Sequence, residues 1–102
     1  DYVVLTDPDQ AEAIGRQLIG EFDRLVPSFY SAADRQAGRF RARDRFGTER
    51  EFSLMTMSVS ILSSADFEDP SPLAISRECA KMKEHLKEIP GSNLLVNRRI
   101  FP

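Results

Sequence analysis

One cysteine, one histidine and no tryptophan occur in 102 residues. A lone Cys excludes an internal disulfide framework, and with a single His it excludes a Cys/His zinc cage built from this chain alone. A reducing, cytoplasmic setting is therefore expected. Ser, Thr or a charged residue interrupts every apolar run well short of the ~20 residues a membrane helix needs. Charge of one sign is also scarce overall: the net is -2, which argues against a dedicated nucleic-acid binder. No signal-like or transit-like stretch precedes Asp1, so an excised segment with its natural start elsewhere is expected. What is present, 41% hydrophobic and 29% charged residues, is the balance of a folded soluble chain, and the length suits one domain spanning residues 1–102.

The charges are segregated along the chain. Asp1, Asp7, Asp9, Glu12, Glu21 and Asp23 face only Arg16 and Arg24 before Val26, whereas Asp34 to Arg50 holds six arginines and three acids. Tyr2-Val3-Val4-Leu5-Thr6 is a β-branched and aromatic run that predicts a buried strand. Asp7-Pro8, with Gln10 three residues on, predicts a capped helix from Pro8 to Val26 whose stripe of Ala11, Ile14, Leu18, Phe22 and Leu25 faces a sheet. A short helical turn at 31–34 closed by Gly38 follows. Arg39 to Phe46 alternates, with Arg39, Arg41, Arg43 and Arg45 on one face, as a half-exposed strand does.

Gly47-Thr48 marks a turn, and Glu51 to Leu62 reads as one central strand. After the acidic loop 63–72, Ser71-Pro72 starts a second helix with the stripe Ile75, Cys79, Met82, Leu86 and Ile89, ending at Pro90-Gly91. Leu94-Leu95-Val96 begins a last strand before Arg98-Arg99. The order is β-α-β-β-α-β, an α+β class with two main helices on one face of a mixed β-sheet, an arrangement that many functions share.

Few residues point to chemistry by themselves. His85 sits in a Lys/Glu-rich helix without an orienting partner or a nucleophile motif, and Cys79 belongs to an apolar stripe, so both read as structural. The alternate arginines would stand about 6.6 to 6.8 Å apart, a spacing able to track phosphates, but charge on an edge strand more often suppresses edge-to-edge pairing. An RNA-recognition reading also lacks the required Gly and aromatic spacing around Gly38-Arg39-Phe40. Lys81, Lys83 and Lys87 are the only lysines; Lys87 lies a turn before Gly91-Ser92-Asn93, where a cation can meet a phosphate.

Asp1-Tyr2-Val3-Val4 before a capped helix, then Met55-Thr56-Met57-Ser58-Val59-Ser60, then Leu86-Lys87 before Gly91-Ser92-Asn93, resembles in order and spacing the later part of a GGDEF domain. That family makes cyclic di-GMP from two GTP molecules. The resemblance covers almost the whole chain and rests on the succession of short motifs. It implies a nucleotidyl-cyclase-like, ferredoxin-like core, with Asp1 and Tyr2 as the last places of the signature turn.

By the same resemblance Asp1 would be catalytic and a ligand of Mg, and Lys87 would contact GTP phosphate. Attack of a ribose 3′-hydroxyl on an α-phosphate needs metal ions to neutralise charge, and a single Asp1 does not assemble such a site. As this fragment the chain is expected to be inactive. Ser60 stands where the family has Gly, and Ser92 where it has a phosphate-facing cation. The Arg39–Phe52 hairpin looks like an insertion found where GGDEF domains are joined to regulatory or EAL domains. Arg41-Ala42-Arg43-Asp44 fits the family's Arg-x-x-Asp inhibition pattern but follows the signature turn instead of preceding it. The competing expectation is a ferredoxin-like interaction or dimerisation module without catalysis, giving a homodimer; RNA binding along the arginine ladder is a third.

Overall fold

In a computed structural model, which describes residues 2–96 and 99–101, helix α1 runs Pro8–Leu25. Pro8 sits in its first turn, where a missing N–H costs nothing. Asp7 is the N-cap by position only. Its side chain accepts no cap hydrogen bond, and Gln10 N–H donates to the Asp7 carbonyl at 3.0 Å instead of completing the expected capping box. Pro27 carries the chain into a 3-10 turn, Val26–Phe29. Helix α2, Ala32–Ala37, is capped by Ser31, whose hydroxyl accepts from Asp34 N–H, and is closed by Gly38 at φ 74°. That left-handed corner favours Gly.

Strands β1 (Arg39–Arg43) and β2 (Glu49–Ser53) then form an antiparallel hairpin that stands as its own two-stranded sheet. The expected strand to Phe46 stops three residues early because Asp44 is a turn residue. Its carboxylate accepts from Phe46 N–H at 2.9 Å and Thr48 N–H at 3.0 Å, and Gly47 sits at φ 77°. The expected central strand 51–62 is likewise two elements. Residues 54–57 are irregular, with Met55 N–H donating to the Tyr30 hydroxyl at 3.1 Å, and β3 is only Ser58–Ile61.

After a 3-10 turn at Ser64–Asp66, helix α3, Pro72–Lys87, starts on the Ser71 cap as expected. Strand β4, Asn93–Val96, returns parallel to β3, and β5, Arg99–Phe101, pairs antiparallel with β4. The second sheet therefore has the order β3-β4-β5 and is mixed, so the α+β class holds. The chain order does not follow β-α-β-β-α-β. Tyr2–Thr6, the expected first strand, forms no regular element, and Tyr2, Val3, Val4 and Leu5 are all exposed. An apolar strand needs a neighbour to satisfy its backbone and cover its side chains, and nothing described in this chain provides one.

The two long helices lie on opposite faces of the second sheet, not on one. A Cβ built on Gly15 of α1 would stand 2.6 Å from Leu94 Cδ1, 3.3 Å from Ile61 Cδ1 and 3.4 Å from Val59 Cγ1, so α1 covers that face at close range. Leu95, the next residue and hence on the other face, joins Met82 and Leu86 of α3 in a buried cluster with Leu62 against it. Leu86 and Leu94 are fully buried, at 0% and 1% exposure. Each such leucine contributes roughly 1.5–3 kcal/mol of apolar burial. The expected α1 stripe is met at Ala11, Ile14 and Phe22, which are half-buried, but the inward side is centred on Gly15, with Val26 buried just beyond the helix, and Leu18 and Leu25 are exposed. With a radius of gyration of 16.1 Å, against about 13 Å for a typical domain of this length, the chain is open.

Candidate functional site

The ends of β3 and β4 meet where two of the resemblance motifs come together. Asn93 is the one buried polar residue among those described. Its side-chain amide donates to the carbonyls of Pro90 at 3.2 Å, Gly91 at 3.3 Å and, more weakly, Ile89 at 3.5 Å, which folds the α3–β4 connection back on itself. Gly91 supplies the reversal at φ 86°. Asn93 N–H donates to the Met57 carbonyl at 3.1 Å and Met57 N–H donates to Ser92 Oγ at 3.0 Å, so the segment before β3 is tied to the loop before β4.

Ser92 then reaches a third element: its hydroxyl donates to Asp23 Oδ1 of α1 at 2.5 Å. With its only proton on Asp23 and one lone pair on Met57 N–H, the Ser92 hydroxyl has no donor left to offer. This carboxylate–hydroxyl pair has no imidazole to relay a proton, so it acts as a buckle between α1, β3 and the loop, not as an activated nucleophile. Flanking Asp23 on α1, Arg24 donates to the Glu21 carboxylate at 2.7 Å; that bond, and then the attraction of the two charges, raises the guanidinium pKa.

Lys87 is the last residue of α3 and is exposed, where a positive charge complements the helix's terminal carbonyls. Leu86 beside it is wholly buried. Asp1, the expected catalytic residue and metal ligand, lies outside the described residues. Arg98 also lies outside them. Among the described residues no group of three or more His, Cys, Asp or Glu side chains is placed to hold a metal ion. His85 is exposed on α3 and Cys79 is half-buried, as a stripe residue should be.

The expected arginine ladder forms over Arg39, Arg41 and Arg43, while Arg45 falls in the turn after β1. On the polar face of the hairpin Glu51 lies 3.2 Å from Arg39 and 3.5 Å from Arg41, and Glu49 lies 3.6 Å from Arg41. At the turn Asp44 holds Arg50 at 2.7 Å. The opposite face is aromatic: Phe40 stacks on Phe52 with centroids 5.6 Å apart and meets Tyr30 at 5.4 Å. Depressions among the described residues include one of about 230 Å³ beside Arg41, Glu49, Arg50 and Glu51 and one of about 150 Å³ beside Ile14, Gln17, Leu18 and Glu21. Both fall below the roughly 300 Å³ at which small-molecule sites begin.

No protein-family model, curated protein or solved structure matches this chain. No helix among the described residues is long and apolar enough to cross a membrane. Sequence reasoning singled out Ser92 as a departure from a family pattern but missed Asp23, whose partner is 69 residues away and carries no local signal.

Proposed function

We propose that this chain is the later part of a GGDEF-type domain of a cyclic di-GMP signalling protein, which binds GTP in its intact form, and that these 102 residues alone are catalytically silent. One observation carries the reading: the motif around Met57 and the motif Gly91-Ser92-Asn93, separated by a whole helix in sequence, are hydrogen-bonded neighbours at the ends of a parallel strand pair. A helix that joins two adjacent parallel strands brings the starts of those strands together, and both motifs fall at that corner. Lys87, exposed at the end of α3, would be the residue for a phosphate in this reading. Ser92 is not available for one, because its hydroxyl is spent on Asp23 and Met57.

Calorimetric titration of GTP with Mg into the natural protein that carries this segment tests the reading, alongside the 102-residue chain. Binding by the former and neither binding nor product from the latter is expected. Absence of GTP binding by the natural protein would overturn it.

A second reading, an interaction or dimerisation module without catalysis, is favoured by one feature. Among the described residues β3 has a neighbour on one side only, and Tyr2–Leu5, Leu18 and Leu25 expose apolar surface. It requires a cooperatively folding 102-residue chain whose mass rises with concentration in sedimentation experiments and which ignores GTP.

A further inference from the structure

The β1–β2 hairpin carries a recognition pattern that the signalling reading does not use. On its polar face three cations, Arg39, Arg41 and Arg43, come from β1, and two anions, Glu49 and Glu51, from β2. Both glutamates lean toward Arg39 and Arg41. Arg43 stands opposite Glu49 in register, yet among the described residues it has no carboxylate within ion-pair distance. The surplus positive charge thus lies on β1. Among the described residues the far side of β1 is a strand edge without a partner, because the hairpin sheet there contains β1 and β2 alone. On the reverse face β1 offers Phe40 and Ala42, both half-buried.

We infer that the outer edge of β1 is a docking edge for an extended acidic segment of a partner protein, one that alternates carboxylate and apolar side chains. The occupant's chemistry is drawn by β2 itself. Glu49, Glu51 and Phe52 show what a strand beside β1 presents: acids to the arginines and an aromatic to Phe40. A strand added on the other side meets the same arginines at cross-strand distance, about 4.5–5.5 Å between Cβ atoms, and its main chain satisfies the open amides.

Charge complementarity, together with the open strand edge, selects a carboxylate strand over the alternatives. A nucleic-acid backbone brings no apolar side chains to Phe40 and Ala42 on the reverse face and no peptide groups to pair with the main chain of β1. Pairing β1 with β1 of a second copy in the antiparallel, in-register sense sets arginine against arginine, which destabilises the pair.

The test uses the full 102-residue chain and a fluorescently labelled peptide alternating glutamate and valine, followed by anisotropy and by amide resonances. Expected are saturable binding that weakens with added salt, shifts confined to the amides of β1, and at least about a tenfold loss in Arg41→Glu/Arg43→Glu. Arg43→Gln breaks no ion pair of the hairpin, so it keeps the fold, checked by circular dichroism, and weakens the peptide several-fold. Methylating alternate peptide nitrogens on the pairing edge abolishes binding. The inference is overturned by equal binding of a lysine–valine peptide, by preference for an oligonucleotide of matched charge, by undiminished binding to Arg43→Gln or by the methylated peptide, or by a mass that rises with concentration.

Discussion

The chain holds two sheets stabilised by opposite means. In the β3-β4-β5 sheet, Leu94 is buried toward α1 and Leu95 toward α3, so one strand is wrapped on both faces by hydrocarbon. In the β1–β2 hairpin every β2 residue is exposed, and the strands are joined by ion pairs on one face and stacked rings on the other. The first arrangement removes apolar surface from water, a gain that ionic screening does not weaken. The second relies on charges that solvent screens, each exposed pair worth at most about 1 kcal/mol. A two-stranded sheet is marginal alone, so the hairpin relies on Tyr30, which meets Phe40 with its ring and Met55 N–H with its hydroxyl.

That contrast is broken most directly at Leu86. Leu86→Ala removes the most buried side chain of the α3 face and is expected to lower stability by about 2–5 kcal/mol, read as a shift of the urea midpoint. Gly15→Leu attacks the other face. With a Cβ already 2.6 Å from a Leu94 methyl, the larger side chain should cost about 1–3 kcal/mol in the same assay. Gly20 on the same helix has nothing within 4 Å of a built Cβ, so Gly20→Ala should raise stability by about 0.5–1 kcal/mol. Opposite signs from two glycines five residues apart would separate packing from helix propensity; equal signs would break the assignment of α1's sheet-facing side.

Ser92→Ala tests the buckle. It removes the Asp23 bond and leaves Met57 N–H without its partner, for an expected loss of about 1 kcal/mol and faster hydrogen exchange at Met57. The smallest effect belongs to the hairpin. Glu51→Gln should change global stability by less than about 1 kcal/mol, and its effect should vanish in high salt while that of Leu86→Ala persists.

Local signals were legible where the physics is local. Asp7-Pro8 and Ser71-Pro72 announced α1 and α3 because cap and Pro preferences act within one turn, although Asp7 then made no cap bond. Gly38 closed α2 for an equally local reason: few other residues take its positive φ. The ladder of arginines was read correctly as one face of a strand, yet its end was misplaced because Asp44 makes a turn where alternation alone predicts strand. The run from Glu51 to Leu62 looked continuous since apolar residues serve equally in β2, in β3 and in the irregular link 54–57. Of the candidate site, Lys87 and the loop Gly91-Ser92-Asn93 were visible in sequence, whereas the Asp23 contact was not.

The sequence by itself determined where the helices start, where the left-handed turns fall, and which strand alternates charge with aromatic residues. These follow from backbone sterics and hydrogen bonds spanning a few residues. Only the tertiary structure decided that α1 and α3 take opposite faces of one sheet, that Gly15 and not the Leu18 side of α1 meets it, that Tyr2–Thr6 pairs with nothing described here, and that Ser92 is tied to Asp23. Each of those depends on which surfaces meet across long separations in the chain, and the free energy of such contacts belongs to the pair and not to either residue.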